Sequence, residues 1–320
     1  MKRVLFFAAA LLLSGTAVAQ QAYPTRPLRM VVPWPPGQAT DLVGRVIAQK
    51  LTEILGVQVI ADNRAGAGGM IGTDIVAKAT PDGYTLLAAS SGPVSISPLL
   101  QKTPYVSERD LTPVANAGAS PYLLTTMPSF PAKDLRELIA LVKANPGKYS
   151  YASSGTGATA HLVAEYFNNT AGIRGIHVPY KGSIPALTDV MGGQINYVTE
   201  TLAASMPFVR SGKLKAYGIS LAKGSALAPG IPPIATAADL PGFEVAAWIG
   251  VMVSAGTPKP LVEKLAAAVD KTLQAQDVRE KLSSVGLETD YRNAADMARL
   301  LKEQSARFSD IIKKANIKLD

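Results

Sequence analysis

Residues 28–55, LRMVVPWPPGQATDLVGRVIAQKLTEIL, decide the fold. Leu28 to Val32 is a short apolar run of strand type. A tight loop follows, Pro33-Trp34-Pro35-Pro36-Gly37-Gln38-Ala39. Leu42, Val43, Val46, Ile47, Leu51, Ile54 and Leu55 then recur every three and four residues, the period of an amphipathic helix, with Thr40 or Asp41 as the expected cap. Such a helix start turns unpaired backbone N–H groups and the positive end of a dipole toward the space beyond the strand, which suits an anion.

Outward from this unit the pattern repeats. Val57 to Ile60 predicts a second strand, Ala61 to Gly69 a loop, Met70 to Ala79 a helix, and Pro81-Asp82-Gly83 a turn. Tyr84 to Ala88 predicts a buried strand running into the polar turn Ser90-Ser91-Gly92. Alternating strands and helices predict an α/β fold with parallel sheets and right-handed crossovers, whose ligands sit outside the carboxyl ends of the strands. Leu111 to Thr126 predicts a strand long enough to carry the chain into a second lobe. There, after a helix over Pro131 to Asn145, the opening unit recurs: strand Tyr149 to Ala152, loop Ser153-Ser154-Gly155-Thr156-Gly157-Ala158-Thr159, and a helix from about Ala160. Ile176 to Val178 and Ile195 to Thr199 predict strands ending at Lys181-Gly182-Ser183 and Glu200-Thr201, with Ser183 capping the helix between them; Leu214 to Ile219 predicts another. Phe243 to Val253 predicts a return crossing, followed by helices over Thr257 to Ala275, Asp277 to Val285 and Asn293 to Ala315. The expectation is two α/β lobes joined by two crossovers, residues 23–120 with 243–320 and residues 121–242, with a ligand cleft between them.

Composition narrows the chemistry. The formal charge of +8 is scattered, which fits either a plain basic surface or steering of an anionic ligand. No basic stripe interleaved with aromatics marks a nucleic-acid site. The absence of cysteine excludes thiolate catalysis, disulfides, Cys-ligated metals and a lipid-bearing cysteine. Lys2-Arg3, the apolar run Val4 to Leu13 and Ala17-Val18-Ala19 predict an export signal over residues 1–19, cleaved near Ala19, and a periplasmic mature protein.

Motif by motif, binding is favoured over catalysis. Gly66-x-Gly68-Gly69 lacks the Gly-Lys-Ser/Thr ending of a phosphate loop and the dinucleotide spacing, so a close-packed backbone turn is expected there. The G-x-S-x-G elbow is absent. His161 and His177 stand apart in sequence, and neither sits in an H-E-x-x-H zinc pattern. Ser153, Ser154, Thr156 and Thr159 suit hydrogen-bond donation to a carboxylate, or simple capping. Trp34 suits an apolar wall or ordinary packing. Lys181 suits a counter-charge or a solvated loop, and Glu200 a cap or a holder of an ammonium or water. No cofactor is expected.

Several ordered markers carry a family resemblance. They are Val32-Pro33 with Gly37 and Thr40-Asp41; Asn63-Arg64 with Gly66-Ala67-Gly68-Gly69; Pro81-Asp82-Gly83-Tyr84; Tyr151-Ala152-Ser153-Ser154-Gly155 with His161-Leu162; Val178-Pro179-Tyr180-Lys181-Gly182; and Gly192-Gly193-Gln194. Through them the chain resembles the Bug family of periplasmic solute-binding receptors of tripartite tricarboxylate transporters. The resemblance implies a Venus-flytrap fold that holds a small carboxylate (dicarboxylate, amino acid or aromatic acid) without chemistry, as a monomer that delivers it to membrane permease subunits. It implies a site built from Trp34, Gly37, Gln38, Ala39, Thr40 and Asp41 in one lobe and Ser153, Ser154, Gly155, Thr156, Gly157 and Thr159 in the other. Ser90, Ser91, His161, Lys181, Glu200 and Thr201 complete the candidate set. Gln38, where relatives have a second glycine, and Thr199-Glu200, where many have Phe-Asp, are departures at expected ligand positions. A sensory partner of a signalling system and an exported enzyme acting on a carboxylate are the alternatives.

Overall fold

The computed structural model describes residues 23–314 and Ile317; the expected export signal lies outside the described residues. The first half comprises β1 (Leu28–Val32), α1 (Ala39–Leu55), β2 (Val59–Asn63), α2 (Met70–Ala77) and β3 (Thr85–Ser90). A π-helical turn (Gly92–Ile96), α3 (Ser97–Leu100) and α4 (Ser107–Asp110) lead into β4 (Leu111–Thr126). Beyond it lie α5 (Leu135–Ala144), β5 (Ser150–Ser153), α6 (Thr159–Ala171), β6 (Ile176–Pro179), α7 (Ser183–Met191), β7 (Tyr197–Thr201), α8 (Leu202–Arg210), β8 (Lys215–Ile219) and α9 (Ile234–Ala237). The chain returns through β9 (Ala246–Ser254), α10 (Lys259–Gln274), α11 (Gln276–Ser284), β10 (Glu288–Asn293) and α12 (Ala294–Lys314).

The strands run in the order β2-β1-β3-β9-β4-β7-β5-β6, with β8 and β10 also on β4. The outer groups, β2-β1-β3 and β7-β5-β6, are parallel as the alternation predicts. The centre is not: β9 is antiparallel to β3 and β4, and β4 is antiparallel to β7, β8 and β10. Two crossings that run in opposite directions lie side by side, and antiparallel pairing is what that topology imposes.

β4 belongs to both halves. Leu111 to Pro121 pair with β9, and Tyr122 to Thr126 pair with β7. Pro121, which has no N–H for a ladder, falls where the strand changes partners. At that corner Ser220 Oγ accepts from Tyr122 N (2.9 Å) and donates to Val245 O (2.5 Å), stitching the outgoing crossing to the returning one.

Each half has its own core. Val43, Ile47 and Leu51 of α1 bury with Met30 of β1 and with Leu265 and Val269 of α10. Leu138, Tyr151, Phe167 and Tyr197 bury together in the second half. α12 enters both: Met297 and Leu300 pack beside Val31 and Leu87, while Phe308 and Ile311 pack in the cluster of Phe167 and Phe243.

Two expected caps are corrected. α1 starts at Ala39 with Gln38 in the capping position, so Thr40 and Asp41 lie inside its first turn. α7 is preceded by Gly182, and the Ser183 hydroxyl instead donates to Glu200 Oε2 (2.7 Å). β2 begins and ends later than expected, and β7 extends through Glu200 and Thr201. β10 and α8, which follow no strong apolar alternation, are additions.

Candidate ligand-binding site

Three helix starts converge on one small cavity at the carboxyl ends of the strands. The first turn of α1 contributes Ala39 and Thr40 behind Gln38; α6 contributes Ala158 and Thr159; the α8 cap contributes Thr201. The first N–H groups of a helix have no partner within it, so all three starts bring a positive dipole end to the same space, with the α8 start partly satisfied by Thr201 N on Glu200 Oε2 and Ala204 N on Thr201 Oγ. Trp34, Ser90, Ser154 and Glu200 line it as well. β4 and β9 close the floor with Ser120, Tyr122, Ala247 and Ile249. The cavity measures about 30 Å³, room for about two water molecules. No lysine, arginine or histidine lines it.

The cavity is this small because the halves touch around it. Ser91 and Thr159 share a hydrogen bond (3.0 Å) across the gap, and Ser97 Oγ donates to Gly157 O (3.4 Å). A Cβ on Gly68 would stand 2.8 Å from Thr156 O, so the glycine turn of the first half lies flush against the Ser/Gly loop of the second. This is the close-packed use expected for Gly66-x-Gly68-Gly69.

The loop ahead of α1 is pinned from several sides. Trp34 Nε1 donates to Ser90 Oγ (2.9 Å), and Asn63 Nδ2 donates to Trp34 O (2.9 Å). Asp41, only 1% exposed, accepts from Gly37 N (2.9 Å), Asn63 Nδ2 (2.8 Å) and Arg45 Nε (2.9 Å). Its carboxylate is thus engaged behind the loop and does not line the cavity.

Of the residues expected from sequence, Trp34, Gln38, Ala39, Thr40, Ser90, Ser154, Thr159, Glu200 and Thr201 meet at the cavity. Gly37, Asp41, Ser91, Ser153, Gly155, Thr156, Gly157 and His161 stand behind or beside it. Lys181 is exposed on the loop before α7, away from the lining, so the counter-charge expected of it is not at the cavity wall. Ser120, Tyr122, Ala158, Ala247 and Ile249 were not expected; the crossing strands that carry four of them bear no motif.

The titrating groups are strongly perturbed. Glu200 is 1% exposed; burial pushes its carboxyl up, while Ser183, Ser154 and the Thr201 amide pull the other way. Oε2 takes the Ser183 hydroxyl and the Thr201 amide (3.1 Å), whereas Ser154 acts outside hydrogen-bond geometry and Oε1 has no hydrogen-bond partner. Burial, then Glu200, pushes the Tyr122 hydroxyl up. His161 and His177, apart in sequence, stack 4.1 Å apart at an interplanar angle of 3°. Burial and then His177 push His161 down to about 3, and its Nδ1 accepts from Gly157 N (3.4 Å). Ser153 Oγ lies 2.7 Å from His177 Nε2, but Ser153 is fully buried and faces away from the lining. Among the described residues no three histidines or acids gather as a metal site.

A larger cavity, about 640 Å³, lies against α12 beside Leu99, Tyr105 and Met252; no residue of the expected site lines it.

Against known proteins, the model of the tripartite tricarboxylate transporter family receptor matches residues 43–317. Protein BugT of Bordetella pertussis is 36% identical over 304 residues, 94% of this chain and 93% of that protein. The solved structure of R. palustris Rpa4515 with adipate superposes with a TM-score of 0.89 at 33% identity, covering 92% of this chain and 99% of that one. MatC from Rhodopseudomonas palustris with bound malate gives a TM-score of 0.84 at 34% identity, covering 91% and 100%.

Proposed function

This chain belongs to the tripartite tricarboxylate transporter receptor family, and from that premise we propose that it captures a small organic carboxylate between its lobes in the periplasm. One observation carries the reading: helix starts from both halves, α1 on one side and α6 and α8 on the other, meet at a single cavity. Charge-assisted hydrogen bonds of this kind are worth about 1.5–3 kcal/mol each, so a few of them account for micromolar affinity, about 8 kcal/mol. Adipate and malate in the two solved relatives support the ligand class.

The lobes we assign are residues 23–120 with 243–320, and residues 121–242, hinged where β4 changes partners. The cavity holds about two waters, so the ligand enters an opened form and stabilises the closed one through contacts in both lobes. The closed monomer then docks on membrane permease subunits and releases its cargo unchanged. No histidine or lysine lines the wall beside the cavity hydroxyls.

A thermal-shift screen over organic acids, followed by calorimetry on the hits and mass spectrometry of the recovered ligand, tests the proposal. A saturable shift with ligand recovered intact is expected. Conversion of the ligand moves the protein to the enzyme class, and silence across mono-, di- and tricarboxylates ends the receptor reading.

A further inference from the structure

The cavity has one acid and no base. Every lining residue other than Glu200 is uncharged, and the positive potential there comes from the helix-start dipoles. Glu200 is held rigidly by its Oε2, through the Ser183 hydroxyl at 2.7 Å and the Thr201 amide at 3.1 Å. Its Oε1 is buried with no hydrogen-bond partner. Ser120 Oγ and Gln38 Nε2, on the same lining, are buried without partners too. An orphaned buried acceptor costs about 1–3 kcal/mol, more when charged, and such groups persist where something else satisfies them.

We propose that Glu200 selects a carboxylate that also carries an ammonium group: the ligand carboxylate takes the amides of α1 and α6, and its ammonium donates to Glu200 Oε1. The inference rests on the carboxylate-receptor reading above. A cation at Oε1 completes the hydrogen-bonding of the only acid on the lining and sets opposite charges against each other. A ligand bearing only carboxylates instead brings a like charge against Glu200 in a site with no basic side chain to offset it. Burial raises the affinity of the Glu200 carboxyl for protons, and an ammonium neighbour works against that shift.

Matched trios that differ only at one substituent test this on the wild-type protein: alanine, lactate and propionate; aspartate, malate and succinate; phenylalanine, phenyllactate and phenylpropionate. Calorimetry at pH 7.5 is expected to show the amino member of at least one trio binding about tenfold or more tighter than both its partners, the scale of one charge-assisted bond. Glu200→Gln is expected to erase that preference from both sides, weakening the amino member and tightening the members that bear only a carboxylate. Hydroxy or deamino members that bind as tightly as the amino member overturn the proposal and leave the carboxylate reading standing. Binding by no member while another acid of the wider screen binds overturns the proposal alone, and silence in that screen as well removes both. An unchanged preference in a folded Glu200→Gln, judged by its melting curve, also overturns it. If that variant does not fold, the wild-type ranking alone decides.

Discussion

Replacing Asp41 by Asn separates the scaffold of the site from its surface. The change is isosteric, so it opens no cavity, and the side chain lines no part of the lining. It removes the charge that Gly37 N, Asn63 Nδ2 and Arg45 Nε converge on, and the new amide N–H₂ faces donors where an oxygen stood. Hydrogen bonds to a charged group are worth about 1.5–3 kcal/mol each. The Arg45 contact is discounted to below about 1 kcal/mol because that side chain is 47% exposed. One retained acceptor offsets part of the rest, which leaves a loss of about 3 kcal/mol. For a chain of this size, with an unfolding entropy of about 0.6 kcal/mol/K, the melting temperature should fall by about 5 °C. Ligand affinity should drop about tenfold as well, since the loop that places the α1 amides loses its anchor at Gly37. Thermal unfolding with and without a ligand from the acid screen measures both. A melting temperature within about 2 °C of wild type would refute the claim that Asp41 holds the loop, whatever happened to binding.

Three further outcomes follow from other residues. Gly72→Ala puts a Cβ 2.7 Å from both Arg64 O and Pro33 Cα, two backbone positions with little room to give, and should destabilise by about 1–3 kcal/mol while displacing the site loop; a stability loss below about 0.5 kcal/mol in urea titration would contradict it. His161 titrates near 6.5 unfolded and near 3 folded, so the unfolded chain binds the extra proton; its contribution to stability is complete above about pH 6.5 and is lost at up to about 1.4 kcal/mol per pH unit as pH falls toward 3. His161→Phe should flatten that part of the stability profile, and an NMR titration showing His161 charged at pH 5 would disprove the assignment. Trp34→Phe removes the buried Nε1–Ser90 hydrogen bond, about 1 kcal/mol, and should abolish most of the ligand-induced change in tryptophan fluorescence, which Trp248→Phe should preserve.

What the sequence discloses, and what it hides, divides along physical lines. The strand–loop–helix units are legible because apolar spacing at two and at three-to-four is enforced by burial on one face, and β4 runs from Leu111 to Thr126 as the pattern predicts. The loops at Trp34 to Thr40 and Ser153 to Thr159 are legible because helix starts after strands need turn formers and donors. The direction of an individual side chain is not. Asp41 on a first helical turn faces cavity or scaffold according to where Asn63 and Arg45 stand, and both come from outside that turn. Ser183 looks like a cap, yet Glu200, seventeen residues on, takes its hydroxyl. Ser120 and Tyr122 sit inside a mostly buried strand, where nothing local marks which pair of side chains reaches the cavity. β10, ETDYRN, carries polar residues on an exposed edge and is held on β4 by the backbone ladder and the Asn116 side chain, which donates to Asp290 O, so no apolar signal announces it.

The last long helix bears on how the jaws can move. One rigid rod of 21 residues is seated at its beginning in the first core and near its end, through Phe308 and Ile311, in the second. A wide swing of one jaw would have to lever aromatic bulk out of its bed, so α12 works as a check strap. With the hinge proposed above, it would confine opening to a shallow pivot about the Ser220 corner and favour cargo small enough to slip through a narrow gape.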